Sequence, residues 1–307
     1  MLTQHNLEAR QNLPLEQKIV LSQFRIRDWY DHFKGDVYVS FSGGKDSTVL
    51  LDLVRNTPGV YDVPAVFCDT GLEYPEIREF ARLNADVVLR PKLTFKEVIE
   101  KYGFPVISKE QAQYIRQYTT TKSDKLKNLR FNGGEKGNFC ISKKWRYLID
   151  APFKVSEQCC DIMKKKRPFK AYEKLSGRKP MVGVMACESN LRKQQYQKNG
   201  CNSFDANNPK SSPMGFWTEQ DVLNYMKINE LEYASVYGEI IPDPNVENAL
   251  TTSGCKRTGC MFCMFGVHLE HEPNRFQLMK ETHPKQYAYC MKNLGLAEVL
   301  DYIGVPY

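Results

Sequence analysis

The stretch that most limits what this chain can fold into is Ser40-Phe41-Ser42-Gly43-Gly44-Lys45-Asp46-Ser47-Thr48. An apolar, β-rich run (Asp36 to Val39) precedes it and an apolar helical run (Thr48 to Val54) follows. The order is strand, glycine turn, helix. A glycine turn at a helix start presents bare backbone N–H groups, and the positive end of the helix dipole faces the same point, so a phosphate fits there. Gly43 and Gly44 permit positive φ and close approach of a ligand to the backbone. Ser42 and Ser47 add hydroxyls, and Lys45 adds a point charge. The spacing excludes the common ATPase loop, which needs four residues between its glycine and its Gly-Lys pair. A bare turn without a ligand is the alternative.

The 307 residues are enough for one large or two modest domains. Hydrophobic content of 42% and charged content of 26% are those of a soluble globular chain. No apolar run approaches a membrane span, and Met1 to Lys18 has no leader-peptide core, so a cytoplasmic location is expected. Ten cysteines then point to metal or redox chemistry rather than disulfides. Net charge is +7, and residues 101–180 hold 20 Lys/Arg against 7 Asp/Glu. Such a stretch suits a polyanion such as tRNA or DNA, with Lys122, Lys125, Lys127 and Arg130 as phosphate contacts; a solvated basic face is the alternative.

The expected fold class is α/β, a doubly wound parallel sheet with a C-terminal helical, cysteine-bearing region. Residues 1–35 read as a helical segment, with Leu15, Ile19, Ile26, Trp29 and Tyr30 on one face and Ser22 the polar member of that stripe. Residues 36–235 read as the nucleotide-binding domain, with a basic insertion at about 104–150, and 236–307 as the cysteine-bearing region. Further strands are expected at 63–68, 86–89 and 181–184. Pro75 opens one helix, Thr94 with Glu97 has capping-box spacing for another, and Thr218 is an N-cap.

The Ser-Gly-Gly-Lys-Asp-Ser run resembles the PP-loop of the ATP pyrophosphatases. Asp69-Thr70-Gly71 followed by Tyr74-Pro75-Glu76 resembles the second motif of their phosphoadenosine phosphosulfate reductase branch. Gly183, then Glu188-Ser189 and Arg192, resembles a third, although Met185 stands where that family has an arginine. Pro213 to Leu231, with Trp217, Val222 and Tyr225, resembles a further helix. The chain is thus similar to the phosphoadenosine phosphosulfate reductase family over about residues 36–265. The resemblance implies the adenine nucleotide alpha hydrolase-like (HUP) fold. It implies an ATP or related nucleotide held by Ser40, Ser42, Gly43, Gly44, Lys45, Asp46, Ser47, Asp69, Thr70, Gly71, Gly183, Glu188 and Arg192. Lys45 and Asp46 would be catalytic, and Asp46 or Asp69 the Mg²⁺ contact.

Cys260 and Cys263 form a C-x-x-C, a spacing shared by zinc, iron–sulfur and redox sites. The pair Cys159-Cys160 before the basic run Lys164 to Arg167 and Pro168, with the later C-x-x-C, resembles the [4Fe–4S] pattern of assimilatory adenylylsulfate reductases. Cys255 is a fifth candidate, as a ligand or as a sulfur carrier in catalysis; structural zinc and inert buried thiols are the alternatives. Cys68, Cys140, Cys187, Cys201 and Cys290 read as ordinary cysteines.

Two activities compete. In the first, ATP is split to AMP and pyrophosphate, an acceptor is adenylated, and sulfur from a donor protein such as a cysteine desulfurase displaces AMP. In the second, adenylylsulfate or its 3′-phosphate is reduced to sulfite. The complete loop, and the lack of a cysteine after Cys290, favour the first. A non-catalytic nucleotide-binding module is a third class. Oligomeric state is not legible.

Overall fold

The computed structural model describes residues 2–307, apart from the Lys166 side chain; Met1 and that side chain, both within stretches read above, lie outside the described residues. The chain forms two compact units. One comprises residues 1–90 and 169–258, the other 91–168 and 259–307.

The first unit is built on a six-stranded sheet. Its order is Val87–Leu89, Ala65–Cys68, Val37–Phe41, Lys179–Met181, Lys210–Ser211, Asn202–Ser203, parallel except for the last pair. Val37–Phe41 and Ala65–Cys68 are nearly all buried, as expected for parallel strands covered on both faces. From Val37–Phe41 the chain runs outward to one side through Ala65–Cys68 and Val87–Leu89. It later returns to the other side as Lys179–Met181. The reversal makes a crevice at the carboxyl ends of Val37–Phe41 and Lys179–Met181, where open α/β sheets bind ligands.

Pro14 divides the N-terminal segment into two helices, Gln4–Gln11 and Leu15–His32. Ile26 and Trp29 of the second are fully buried. Ser22 is buried with them because its hydroxyl donates to the Pro213 carbonyl (3.2 Å) and accepts from the Trp217 indole (2.9 Å). Thr218 caps helix Glu219–Ile228, and Asp221 completes the capping box. The same Asp221 accepts from the buried Lys18 ammonium at 2.7 and 2.8 Å.

Residues 104–144, expected to be a mobile or inserted basic stretch, contain helices Lys109–Thr120 and Asp124–Asn132, capped by Ser108 and Ser123. The long polar faces hid that periodicity; of the second helix nothing is buried. The division also falls at 258/259 rather than at 236, and the interposed segment begins at 91 rather than 104. The reason is a long-range pairing, Met264–Phe265 in parallel with Val106–Ile107. Among the described residues no helix is long and apolar enough to cross a membrane.

Lys18 and Asp221 are nearly out of solvent, so removing one partner strands a buried charge. Lys18→Ala is expected to lower the unfolding free energy by about 3–5 kcal/mol, read by urea denaturation, and a loss below 1 kcal/mol would contradict it.

Candidate nucleotide site and cysteine cluster

The glycine loop ends earlier than the sequence suggests: helix Lys45–Arg55 already contains Lys45, Asp46 and Ser47 in its first turn. Gly44 is its N-cap and no side chain caps it, so the first-turn N–H groups remain open to an anion. Gly43 has φ +73°, and a Cβ there would stand 2.9 Å from both Ala81 Cβ and the Ile77 carbonyl oxygen. The Ser42 and Ser47 hydroxyls face each other at 3.0 Å, and Ser47 Oγ also accepts from the Ser42 amide and donates to the Gly44 carbonyl. The loop is thus held closed by its own hydroxyls.

Lys45 is buried. Its Nζ donates to the Lys256 carbonyl at 3.0 Å, lies 3.4 Å from Glu219 Oε1, and sits 5.2 Å from the centre of the Tyr237 ring. Tyr237 Oη and Thr258 Oγ1 are 2.5 Å apart. Burial pushes the Tyr237 phenol up to about 12, so it is protonated at neutral pH. The segment carrying Lys256 is fastened to Val236–Glu239: the amides of Ser253, Gly254 and Cys255 donate to the carbonyls of Glu239, Tyr237 and Val236, each at 2.9 Å.

These groups enclose a cavity of about 160 Å³ at the sheet crevice. Of the residues expected at a nucleotide, Ser42, Gly44, Lys45, Asp46, Ser47, Gly183 and Glu188 line it. Gly183 is needed for space: a Cβ would fall 2.8 Å from the Asp46 carbonyl oxygen. Burial, then the charge of Glu188, pushes the Asp46 carboxyl up to about 6.

Other expected residues are placed elsewhere. Asp69 lies at the end of Ala65–Cys68, and its buried carboxylate accepts from Arg78 at 2.7 and 3.1 Å, with Arg82 at 3.6 Å. Thr70 donates to Glu73, and Gly71 supplies the turn with φ +72°. Arg192 pairs with Glu188 and lines a separate small cavity. Ser40 lies within its strand. Glu219, Tyr237 and Thr258 line the site without having been singled out; only the position of Glu219, in the first turn of a helix beside Trp217, offered a signal. Cys187, read as ordinary, also lines the cavity; burial raises its thiol to about 11.

The cysteines divide between the units. Cys159, Cys160, Cys260 and Cys263 belong to the second, and Cys159 feels the other three electrostatically. Cys159 and Cys160 open the turn that continues as the π-helix Asp161–Phe169. A hydrogen bond from Cys159, then Lys109 and Lys165, pulls the Cys160 thiol down to about 5, while the same hydrogen bond and burial hold Cys159 up. Among the described residues no three His, Cys, Asp or Glu stand close enough to cage a single metal ion. Cys255 belongs to the first unit, where burial raises its thiol against a hydrogen bond with Tyr74.

A carboxyl held above its ordinary range weakens the fold once ionised. Below about pH 4 Asp46 is protonated folded and unfolded, and no penalty exists; it grows between about pH 4 and 6 and stays full above. Asp46→Asn is expected to stabilise the protein by about 1–3 kcal/mol at pH 8 and hardly at all at pH 4. Thermal unfolding at the two pH values checks this, and equal gains would refute it.

The family described as the phosphoadenosine phosphosulfate reductase domain matches residues 36–138 and 117–265. Two uncharacterized proteins of Methanocaldococcus jannaschii are 38% identical over 85 residues and 24% identical over 287 residues; the matches cover 26% and 89% of this chain but only 18% and 52% of theirs. An adenosine 5′-phosphosulfate reductase of Staphylococcus epidermidis is 24% identical over 81% of this chain and 88% of its own. The phosphate complex of phosphoadenylyl-sulfate reductase from Candida auris aligns with 80% of this chain and 98% of that one, at 15% identity and a TM-score of 0.39. With the family pattern running through both the loop and the Gly183 edge of the crevice, the chain belongs to the phosphoadenosine phosphosulfate reductase family.

Proposed function

We propose that the first unit splits ATP between its α and β phosphates to adenylate an acceptor, and that the protein then replaces AMP with sulfur. One observation carries the reading. A buried lysine, an uncapped helix N-terminus and the Lys256–Arg257 pair converge on one cavity. That is a donor set for polyphosphate charge, richer than a nucleotide monophosphate requires. In the first step an acceptor oxygen attacks the α-phosphorus, the bond to the bridging oxygen breaks, and pyrophosphate leaves. Lys45 and the first-turn N–H groups neutralise the charge that develops. Mg²⁺ prefers carboxylate and phosphate oxygens together, and Asp46, with Glu188 and Glu219 on the same cavity, is the group that would hold it.

In the second step the terminal sulfur of a persulfide on Cys255 attacks the carbon that carries AMP. The carbon–oxygen bond breaks, AMP leaves, and a thiol reductant cleaves the remaining S–S bond. A sulfur-donor protein such as a cysteine desulfurase would reload Cys255. Cys159, Cys160, Cys260 and Cys263 are the residues that would hold a [4Fe–4S] cluster, with structural zinc the alternative: Cys160, Cys263 and Cys260 each act electrostatically on Cys159, and the hydrogen bond from Cys159, then Lys109 and Lys165, favours the thiolate form of Cys160. A cluster bound there would supply electrons or hold sulfide. Ten free thiols suit a reducing, cytoplasmic compartment. The acceptor class favoured by charge is a nucleic acid, because the second unit carries 22 Lys/Arg against 13 Asp/Glu and the first 21 against 23.

The second reading, reduction of adenylylsulfate, is favoured by the Staphylococcus relative's name and coverage. Protein purified without oxygen, given labelled ATP and Mg²⁺ or labelled adenylylsulfate with a thiol reductant, separates the two. AMP and pyrophosphate from ATP, absent in Lys45→Ala, are expected. Intact ATP with adenylylsulfate converted to sulfite would replace the first reading by the second. Cys260→Ser is expected to lose iron and visible absorbance; retained colour would remove Cys260 from the ligand set.

A further inference from the structure

The second unit carries a feature that its cysteines do not explain. Six aromatic rings follow one another in an unbroken series: Phe104, Phe153, Tyr302, Tyr147, Trp145 and His268. Successive centroids are 5.7, 5.3, 5.6, 6.2 and 5.0 Å apart. Packing alone would bury such a series. Here the two central rings stay in solvent, Tyr147 at 39% and Tyr302 at 37% exposure, and Trp145, Phe153 and Phe104 are only half-buried. The rings come from sequence stretches far apart, and the Tyr302 hydroxyl reaches the Tyr147 carbonyl at 3.4 Å, so the fold holds the series in place.

Exposed lysines accompany the rings. Lys143 and Lys144 precede Trp145, with Lys144 Nζ 4.8 Å from that ring's centre. Lys154 follows Phe153 and is also exposed. The exposed acids in the same stretches are Asp150, Glu270, Glu298 and Asp301; Glu270 already accepts from Arg275, and Asp301 from the Tyr307 hydroxyl at 3.1 Å. This unit also holds the chain's whole excess of positive charge. By contrast, Arg130, expected from sequence at a phosphate, is engaged by Gln117, by the Phe139 carbonyl and by the Tyr114 ring.

We infer that this face binds single-stranded nucleic acid, with unpaired bases stacking on Tyr147, Tyr302 and Trp145 and phosphates taken by Lys143, Lys144 and Lys154. Exposed rings beside cations are what sequence-tolerant strand binding requires, because every base has a π-face and every linkage a charge. A duplex keeps its bases stacked internally and cannot use the rings. The inference rests on the nucleic-acid acceptor proposed above and narrows it to an unpaired segment.

The test is fluorescence anisotropy of the full chain, purified anaerobically, with labelled 20-nucleotide single-stranded RNA, single-stranded DNA and blunt duplex DNA. Single strands are expected to bind more tightly than duplex and to quench Trp145 fluorescence. Tyr147→Ala and Tyr302→Ala are each expected to weaken strand binding roughly 5- to 150-fold, with duplex binding unchanged. Tyr147→Leu keeps the bulk but not the aromatic face, and is expected to do the same if the alanine variant fails to fold. Lys143→Ala with Lys144→Ala is expected to flatten the salt dependence by about 0.7 per lost phosphate contact. Equal binding of duplex and single strands, indifference to the ring variants, or no binding at low salt would overturn the inference. Lys45→Ala separates it from the adenylation reading, since that variant loses pyrophosphate release while keeping its strand affinity.

Discussion

The buried ammonium of Lys45 is the interaction around which the candidate nucleotide site is arranged. A desolvated cation costs several kcal/mol unless the protein replaces its water. Here the replacement comes from three directions: the Lys256 carbonyl, the Glu219 carboxylate and the Tyr237 ring. Each belongs to a different stretch of chain, so solvating one side chain fastens the 253–258 segment and the start of helix Glu219–Ile228 to the glycine loop. The arrangement also sets what a ligand must do. A bound phosphate would compete with Glu219 to be the lysine's anionic partner.

The sheet explains why some motif residues reach that cavity and others do not. The crevice opens only where neighbouring strands send their chains in opposite directions. Val37–Phe41 and Lys179–Met181 meet that condition, so the loop and the residues around Gly183 share one cavity. Ala65–Cys68 lies on the other side of Val37–Phe41, and Asp69 at its end spends its carboxylate on Arg78 and Arg82. Being at the same edge of a sheet is therefore a weaker condition than flanking the switch point. Gly183 shows the stronger one physically: the strand end passes so near the loop helix that no side chain fits between them.

The same distinction separates what could be read from the sequence from what could not. Local signals read well. The glycine turn, Pro75 at a helix start, Thr94 with Glu97 and Thr218 as caps all act within four residues, and all are present. The loop's extent was misjudged because Lys45, Asp46 and Ser47 look like turn residues yet form the first turn of a helix uncapped by any side chain. Tyr237 and Thr258 were not legible, since neither has a spacing that betrays a contact across 21 residues. The second unit was missed for a related reason. Its two halves are joined by a two-residue strand pair, Val106–Ile107 with Met264–Phe265, too short to leave a pattern in either segment.

Charge follows the same division of labour. The first unit is close to neutral, slightly acidic, although its crevice is where ATP is proposed to bind. Its oriented N–H groups and few cations would act at short range, where the low-dielectric crevice strengthens each contact. The second unit has the opposite design, a broad positive excess with rings and lysines at the surface. A short-range site discriminates by geometry and is little affected by ionic strength, whereas a broad field attracts any polyanion and is screened within about 8 Å at physiological salt. If the proposed ligands are right, placing the two on different units would let the nucleotide be chosen by fit and the polymer be gathered by charge. A single surface would not meet both demands, because lysines dense enough to hold a strand would bind ATP wherever it met them.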